Sequence, residues 1–272
     1  MIFKLLTAFL FFLSLAFLSS CSVNSAKIDD SLKKHFDSAK VDGCFTLFDN
    51  VSGKVTVYNL DLDTQRFSPA STFKIVNSLI GLETGRISGK DMVIKWDGQV
   101  RPRTELNRDL SMAEAFKVSS VPYYQEVARR IGADTMKRWV DTLAYGNKNI
   151  SGPIDSFWLN NTLKISPDEQ LGLVKKLYFN QLPFQKYSQE IVKEVMLQED
   201  NTAYKLSYKT GWGSDEKGGQ LGWVVGWIEE NNHVYFFVTL IISPDKNIDM
   251  RDVRMKVTKG ILTQYGFFKG EM

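Results

Sequence analysis

Ser71 and Lys74 lie three residues apart in the run Phe67-Ser-Pro-Ala-Ser-Thr-Phe-Lys-Ile75, and no other pair in the chain promises chemistry so directly. On a helix that spacing puts both side chains on one face, so an amine sits beside a hydroxyl. A serine hydroxyl becomes a strong nucleophile only when a neighbouring base takes its proton. Pro69-Ala70 places Ser71 at or near a helix N-terminus, where unpaired N–H groups and the positive dipole end favour an oxyanion. The helix continues through Ile75, Leu79 and Leu82 to a stop at Gly85.

The base must come from somewhere other than histidine. Of the two histidines, His35 falls on the charged face of a helix and His233 at a hairpin turn. Both read as solvated surface residues, which argues against a Ser-His-Asp triad. Lys74 is the nearest candidate. Its amine is a base at neutral pH only if a dry pocket disfavours the charged form. Phe73, Val121, Trp158 and Leu159 are the apolar groups expected around it.

Further motifs follow in order: Ser119-Ser120-Val121, Tyr145-Gly146-Asn147, Trp158 within Ser156-Phe-Trp-Leu159, Lys209-Thr210-Gly211-Trp212-Gly213, and Trp223-x-x-Gly226-Trp227. S-x-x-K with a later K-T-G is the signature of penicillin-binding proteins and serine β-lactamases. With S-x-V second and Y-G-N third, the chain resembles the class D, oxacillinase-type serine β-lactamases, over essentially all of its mature length.

That resemblance implies roles. Ser71 would be the acyl-forming nucleophile and Lys74 an N-carboxylated general base, made by addition of carbon dioxide to a neutral amine. Trp158 would hold the carbamate in part, and Ser119 would relay a proton to the substrate nitrogen. From local sequence alone, Ser119 is equally a serine ahead of a helix, a part that Ser120 could also play. Lys209 would supply positive potential for the β-lactam carboxylate, with Thr210 and Gly211 on the same strand. Arg251 matches a second carboxylate-binding cation, with Arg254 close by. The backbone N–H groups of Ser71 and Trp212 would form an oxyanion hole. No cofactor beyond carbon dioxide or bicarbonate is expected, and no metal. The implied activity is β-lactam hydrolysis giving resistance to penicillins of the oxacillin type. Alternatives sharing this plan are a penicillin-binding sensor and a cell-wall DD-peptidase, each acylated without turnover. The Y-G-N motif reads as a turn shaping the cleft wall.

The elements needed to position these residues can be read from periodicity. Ile28, Leu32 and Phe36 predict a first amphipathic helix. Strands are expected at Cys44–Phe48 and Val55–Leu60, joined by Asp-Asn-Val-Ser-Gly, and later at Ala203–Thr210, Leu221–Glu229 and His233–Ile242. Between them the signals are helical, with capping boxes at Ser111/Glu114 and Ser166/Glu169. A helix over Pro122–Ile131 closes at Gly132, and a last one runs from about Val253 to Tyr265. The expected fold is mixed α/β: an antiparallel β-sheet flanked by helices, closed by both termini, with a helical subdomain inserted over about 86–196. Trp96, Trp139, Trp223 and Trp227 read as core.

Length and charge bound the rest. The chain's 272 residues suffice for a large core, and a net charge of +3 without basic runs argues against nucleic acid. Lys4, the apolar run Leu5–Leu18 and Ser19-Ser20-Cys21 read as a signal peptide over 1–20, with an uncleaved anchor as the alternative and the catalytic domain in 21–272. Leu18-Ser19-Ser20-Cys21 also resembles a bacterial lipobox, which implies lipidation of Cys21 and a periplasmic site of action. The only membrane contact would then be that anchor. The remaining Cys44, in an apolar strand, cannot form an internal disulfide and reads as a small buried side chain. Monomer and homodimer are both compatible with the sequence.

Overall fold

A computed structural model of the chain describes residues 26–270, so the readings on the leader and on Cys21 lie outside the described residues. Its centre is a seven-stranded sheet built from β1 (Lys27–Ile28), β2 (Asp42–Asp49), β3 (Val55–Tyr58), β6 (Leu197–Asp200), β7 (Tyr204–Ser214), β8 (Gln220–Glu230) and β9 (His233–Ser243). The strand order is β1-β3-β2-β9-β8-β7-β6. Every pairing is antiparallel except β1 with β3. A small hairpin, β4 (Val93–Ile94) with β5 (Leu110–Ser111), stands apart.

Alternation along β8 explains why the sheet is covered on both faces. Trp223, Val225 and Trp227 pack into the larger core with the central helices, whereas Val224 and Ile228 pack against the C-terminal helix Met250–Gln264. Each of these residues is at least 98% buried, and a side chain of that size contributes about 1.5–3 kcal/mol on burial. The β8–β9 turn is set by Asn231 and Asn232, both at positive φ (53° and 63°), which matches the right-handed twist of the paired strands. At the end of β8, the buried Glu230 carboxylate accepts from the backbone N–H groups of Phe268, Lys269 and Gly270, tying the C-terminal segment to the sheet.

Helices Met112–Lys117, Val121–Ile131, Ala133–Thr142, Pro167–Tyr178 and Lys186–Met196 lie between β5 and β6. Both capping boxes form, and Pro167 occupies the first turn of its helix. The central helix Lys74–Glu83 is buried from Lys74 to Leu82, the pattern of a helix enclosed on all sides.

Several expectations need correction. Ile28 belongs to the exposed edge strand β1, and the first helix is Lys33–Ala39, with Phe36 buried. The strand beginning at Val55 ends at Tyr58, because Asn59 turns left-handed (φ 61°) and caps the short helix Leu60–Thr64. β7 extends to Ser214, past the expected Thr210. Trp96 is not core: 36% exposed, it donates its indole N–H to the Gln99 carbonyl on a polar loop.

Candidate active site

The helix carrying Ser71 and Lys74 starts tightly. Ala70–Phe73 form a 3-10 turn that runs into Lys74–Glu83. Ala70 takes a left-handed φ of 46° just before the nucleophile, a conformation costing a non-glycine residue about 1–2 kcal/mol. The turn is held from behind: the Thr72 hydroxyl donates to Pro69 O at 2.8 Å and accepts from Gln170 Nε2 at 2.6 Å. Ser71 is 9% exposed.

Lys74 Nζ lies 2.7 Å from Ser71 Oγ, with the amine 5.5 Å from the centre of the Tyr124 ring. Burial, helped by the charge of Arg103, lowers its pKa to about 7. Much of the amine is therefore neutral near neutral pH. In that state the contact reverses, and the serine O–H can donate to the nitrogen lone pair. Phe73 stacks on Trp158 at 5.5 Å and meets Phe157 and Tyr145 edge-on at 5.2 and 5.6 Å. The buried Trp158 indole N–H has no hydrogen-bond partner among the described residues. An unmatched donor in so dry a place leaves room for an acceptor that the unmodified side chains do not supply.

The two serines of the second motif separate cleanly. Ser120 is the N-cap of Val121–Ile131, accepting from Tyr123 N. Ser119, at a left-handed φ of 55°, turns toward the facing strand and accepts from Lys209 Nζ at 3.1 Å. Val121, half-buried, opens the helix.

Lys209 is 4% exposed, and its Nζ also donates to Thr210 O at 3.0 Å. Burial first, then the charges of Lys74, Arg254 and Arg103, push its pKa well below the usual lysine value. Gly211 lets β7 approach the nucleophile turn: a Cβ there would come within 3.1 Å of Pro69 O and 3.0 Å of the Trp223 ring. β6 pairs β7 only from Lys205 to Ser207, so among the described residues no strand covers the outer edge of β7 alongside Thr210 and Trp212. Trp212 is 43% exposed.

Of the two arginines, the structure sets Arg254 against this strand. Its Nη1 donates to the Gly211 carbonyl, and with Phe116, Lys209 and Thr210 it lines a cavity of about 210 Å³. Arg251 is exposed, with its guanidinium 5.6 Å from the centre of the Trp212 ring. Sequence reasoning missed Arg103, Tyr124 and Gln170. Only Tyr124 left a trace, a helical step from Val121.

Tyr145-Gly146-Asn147 is a clip on the segment that follows Trp158. Asn147 Nδ2 donates to Thr162 O at 2.9 Å, its Oδ1 accepts from Lys164 N at 3.0 Å, and its own N–H donates to Lys164 O. Gly146, at φ 50°, sits where a Cβ would lie 1.8 Å from Lys164 O.

A serine at the head of a buried helix, with a desolvated lysine 2.7 Å away and a cationic strand facing it, has the make-up of a serine acyl-transfer site that needs no histidine. Comparison with known proteins gives the same class: residues 33–263 match the family model for the penicillin-binding protein transpeptidase domain. The β-lactamase OXA-48 of Klebsiella pneumoniae is 41% identical over 86% of this chain and 87% of its own. A class D β-lactamase structure from Sebaldella termitidis superposes with a TM-score of 0.85 at 32% identity, covering 90% of this chain and all of that one. The C-terminal domain of the Bacillus licheniformis BlaR penicillin receptor also superposes at 0.85, with 31% identity over 92% of this chain and all of that domain. The chain belongs to the class D β-lactamases of the penicillin-binding protein superfamily, and is a serine hydrolase acting on cyclic amides.

Proposed function

We propose that the protein hydrolyses penicillins of the oxacillin type through an acyl-enzyme on Ser71, with a carboxylated Lys74 as base. One observation carries this reading: a lysine 1% exposed, its amine 2.7 Å from the nucleophile and about half neutral at pH 7, in a pocket with an unmatched indole donor. A carbamate supplies an anionic oxygen base for both half-reactions and an acceptor for Trp158.

Ser71 Oγ attacks the lactam carbonyl carbon, and the backbone N–H groups of Ser71 and Trp212 receive the developing oxyanion. The carbamate takes the Ser71 proton and, as the ring C–N bond breaks, passes it through Ser119 to the leaving nitrogen, which frees the base for the water step, while Lys209 holds Ser119 by their hydrogen bond. The substrate carboxylate is held by Lys209 and Arg254. Water then attacks the ester carbonyl, and Ser71 leaves with its proton regained. Localisation follows from the leader: an exported protein, lipid-anchored through Cys21 on the periplasmic side.

Turnover of a chromogenic cephalosporin separates a hydrolase from a sensor or DD-peptidase, which would give one equivalent of product and stop. The base is tested by stripping carbon dioxide at mildly acidic pH. Activity should fall and return with bicarbonate, a carbon-13 carbamate signal should appear on Lys74, and Lys74→Ala should accumulate acyl-enzyme. Indifference to bicarbonate together with no carbamate signal would leave the unmodified amine as the base.

A further inference from the structure

One cation beside the site has no part in the reaction just described. Arg103 stands immediately before the 3-10 turn Thr104–Leu106. Its Nη2 donates to Val118 O at 2.6 Å, one residue ahead of Ser119. Its Nε donates to Glu105 Oε1 at 2.9 Å, and Nη2 pairs with the same oxygen at 2.8 Å. Nη1 has no hydrogen-bond partner among the described residues, and 34% of the side chain is exposed. Nε and Nη2 are therefore engaged, and only the N–H groups of Nη1 are left for solvent or substrate. An open Nη1 beside a fork held only by the exposed Glu105 carboxylate suits a carboxylate or sulfonate that displaces it.

The surrounding charges favour an anion there. Lys209, Arg254, Arg103 and Arg251 are set against Glu105, whose carboxylate is held below its usual range by its own backbone N–H and by Arg103, with Arg251 contributing. One ring carboxylate offsets only one of these charges, so the cluster keeps an excess of positive charge with the substrate bound. The bond to Val118 O sets Arg103 one residue from Ser119, which accepts from Lys209, and so on the cationic side of the cleft.

We propose that Arg103 is a specificity-determining residue that recognises a second anionic group, carboxylate or sulfonate, on the substituent beside the ring carboxylate of the substrate. This rests on the β-lactam reading of the cleft. Glu105 acts as the internal competitor, covering the fork until an anionic substituent replaces it.

The test uses cephalosporins with one acylamino side chain in common and a neutral, a sulfonate-bearing or a quaternary-ammonium substituent beside the ring carboxylate. The readout is the ratio of kcat/KM values, anionic to neutral, which cancels any loss shared by both. In Arg103→Gln the ratio should fall by about tenfold or more, the scale of one charge-assisted hydrogen bond, mostly through KM. In Glu105→Gln it should rise, and the cationic analogue should move the opposite way in both. In the parent, high salt should shrink the preference. A ratio within twofold of the parent in Arg103→Gln would overturn the assignment. If that variant fails to fold, a parent ratio unchanged between low and high salt does the same. Failure of the parent to hydrolyse any of the three would instead overturn the β-lactamase reading beneath it.

Discussion

At the scale of single residues, the site turns on a hydroxyl and an amine 2.7 Å apart. Ser71→Ala should abolish both hydrolysis and covalent labelling, because the oxyanion donors alone provide no acyl acceptor; intact-mass analysis after mixing with a penicillin checks this, and an adduct on the alanine variant would refute it. The pH profile follows from Lys74, whose pKa is lowered to about 7. Below that value the amine is protonated and can neither accept the serine proton nor carry a carbamate. The acid limb of kcat/KM should therefore fall through about pH 7. Arg103→Gln should move that limb upward, because one of the two influences lowering the Lys74 pKa is gone. Ser71, Lys74 and Lys209 were legible because each sits in a short motif. Arg251 and Arg254 were not separable, since three residues on a helix put both on one side; only the approach of Gly211 to Arg254 distinguishes them. Arg103 left no sequence signal, for its partners Val118 and Lys209 come near it only through folding.

At the scale of elements, the long sheet strands and capped helices were readable because period-2 and period-3.6 patterns and capping boxes are local. The short strands β1, β4, β5 and β6 were not, since two to four residues carry no measurable period. The Y-G-N segment shows what such reading leaves out: its purpose is fixed by a stretch almost twenty residues on. Asn147→Ala breaks two side-chain bonds to Thr162 and Lys164 and should cost about 1–3 kcal/mol in chemical denaturation. If the clip also positions Trp158, the variant should need more bicarbonate for half-maximal activity. Gly146→Ala should be worse, at least about 3 kcal/mol, because the new Cβ would meet backbone and not a movable side chain. Wild-type stability for the alanine variant would show that the loop can relax and that the clip is not rigid.

For the whole molecule, one buried acid should shape stability. Asp63 accepts from the Thr46 hydroxyl, and burial raises its pKa from 3.8 to about 6. The folded state thus holds this proton more tightly than the unfolded state. The associated stability is fully present below about pH 3.8 and is lost as pH rises through about 6, amounting to as much as about 3 kcal/mol. Asp63→Asn should raise Tm at pH 8 and leave it nearly unchanged at pH 4; equal shifts at both would place the cause in packing. Export is tested at this scale too. Cys21→Ser should release the mature protein from the membrane fraction or block its processing, and a wild-type protein that never enters detergent would exclude the lipid anchor.

The sheet order carries a consequence for biosynthesis. β2 has its full-length partner in β9, with Asp42 opposite Ile242, and Glu230 finds its partners only at Phe268–Gly270. The middle of the sheet therefore cannot close until nearly the whole polypeptide has been synthesised. Pairings so distant along the chain make for high contact order and slow folding. During translation, β2 and β3 form a hairpin whose inner edge waits for β9, a state in which the chain is still open enough to be threaded or bound by a chaperone. A topology that joins early residues to late ones thus acts as a timer, holding the nucleophile and its base apart from Lys209 until the last strands arrive.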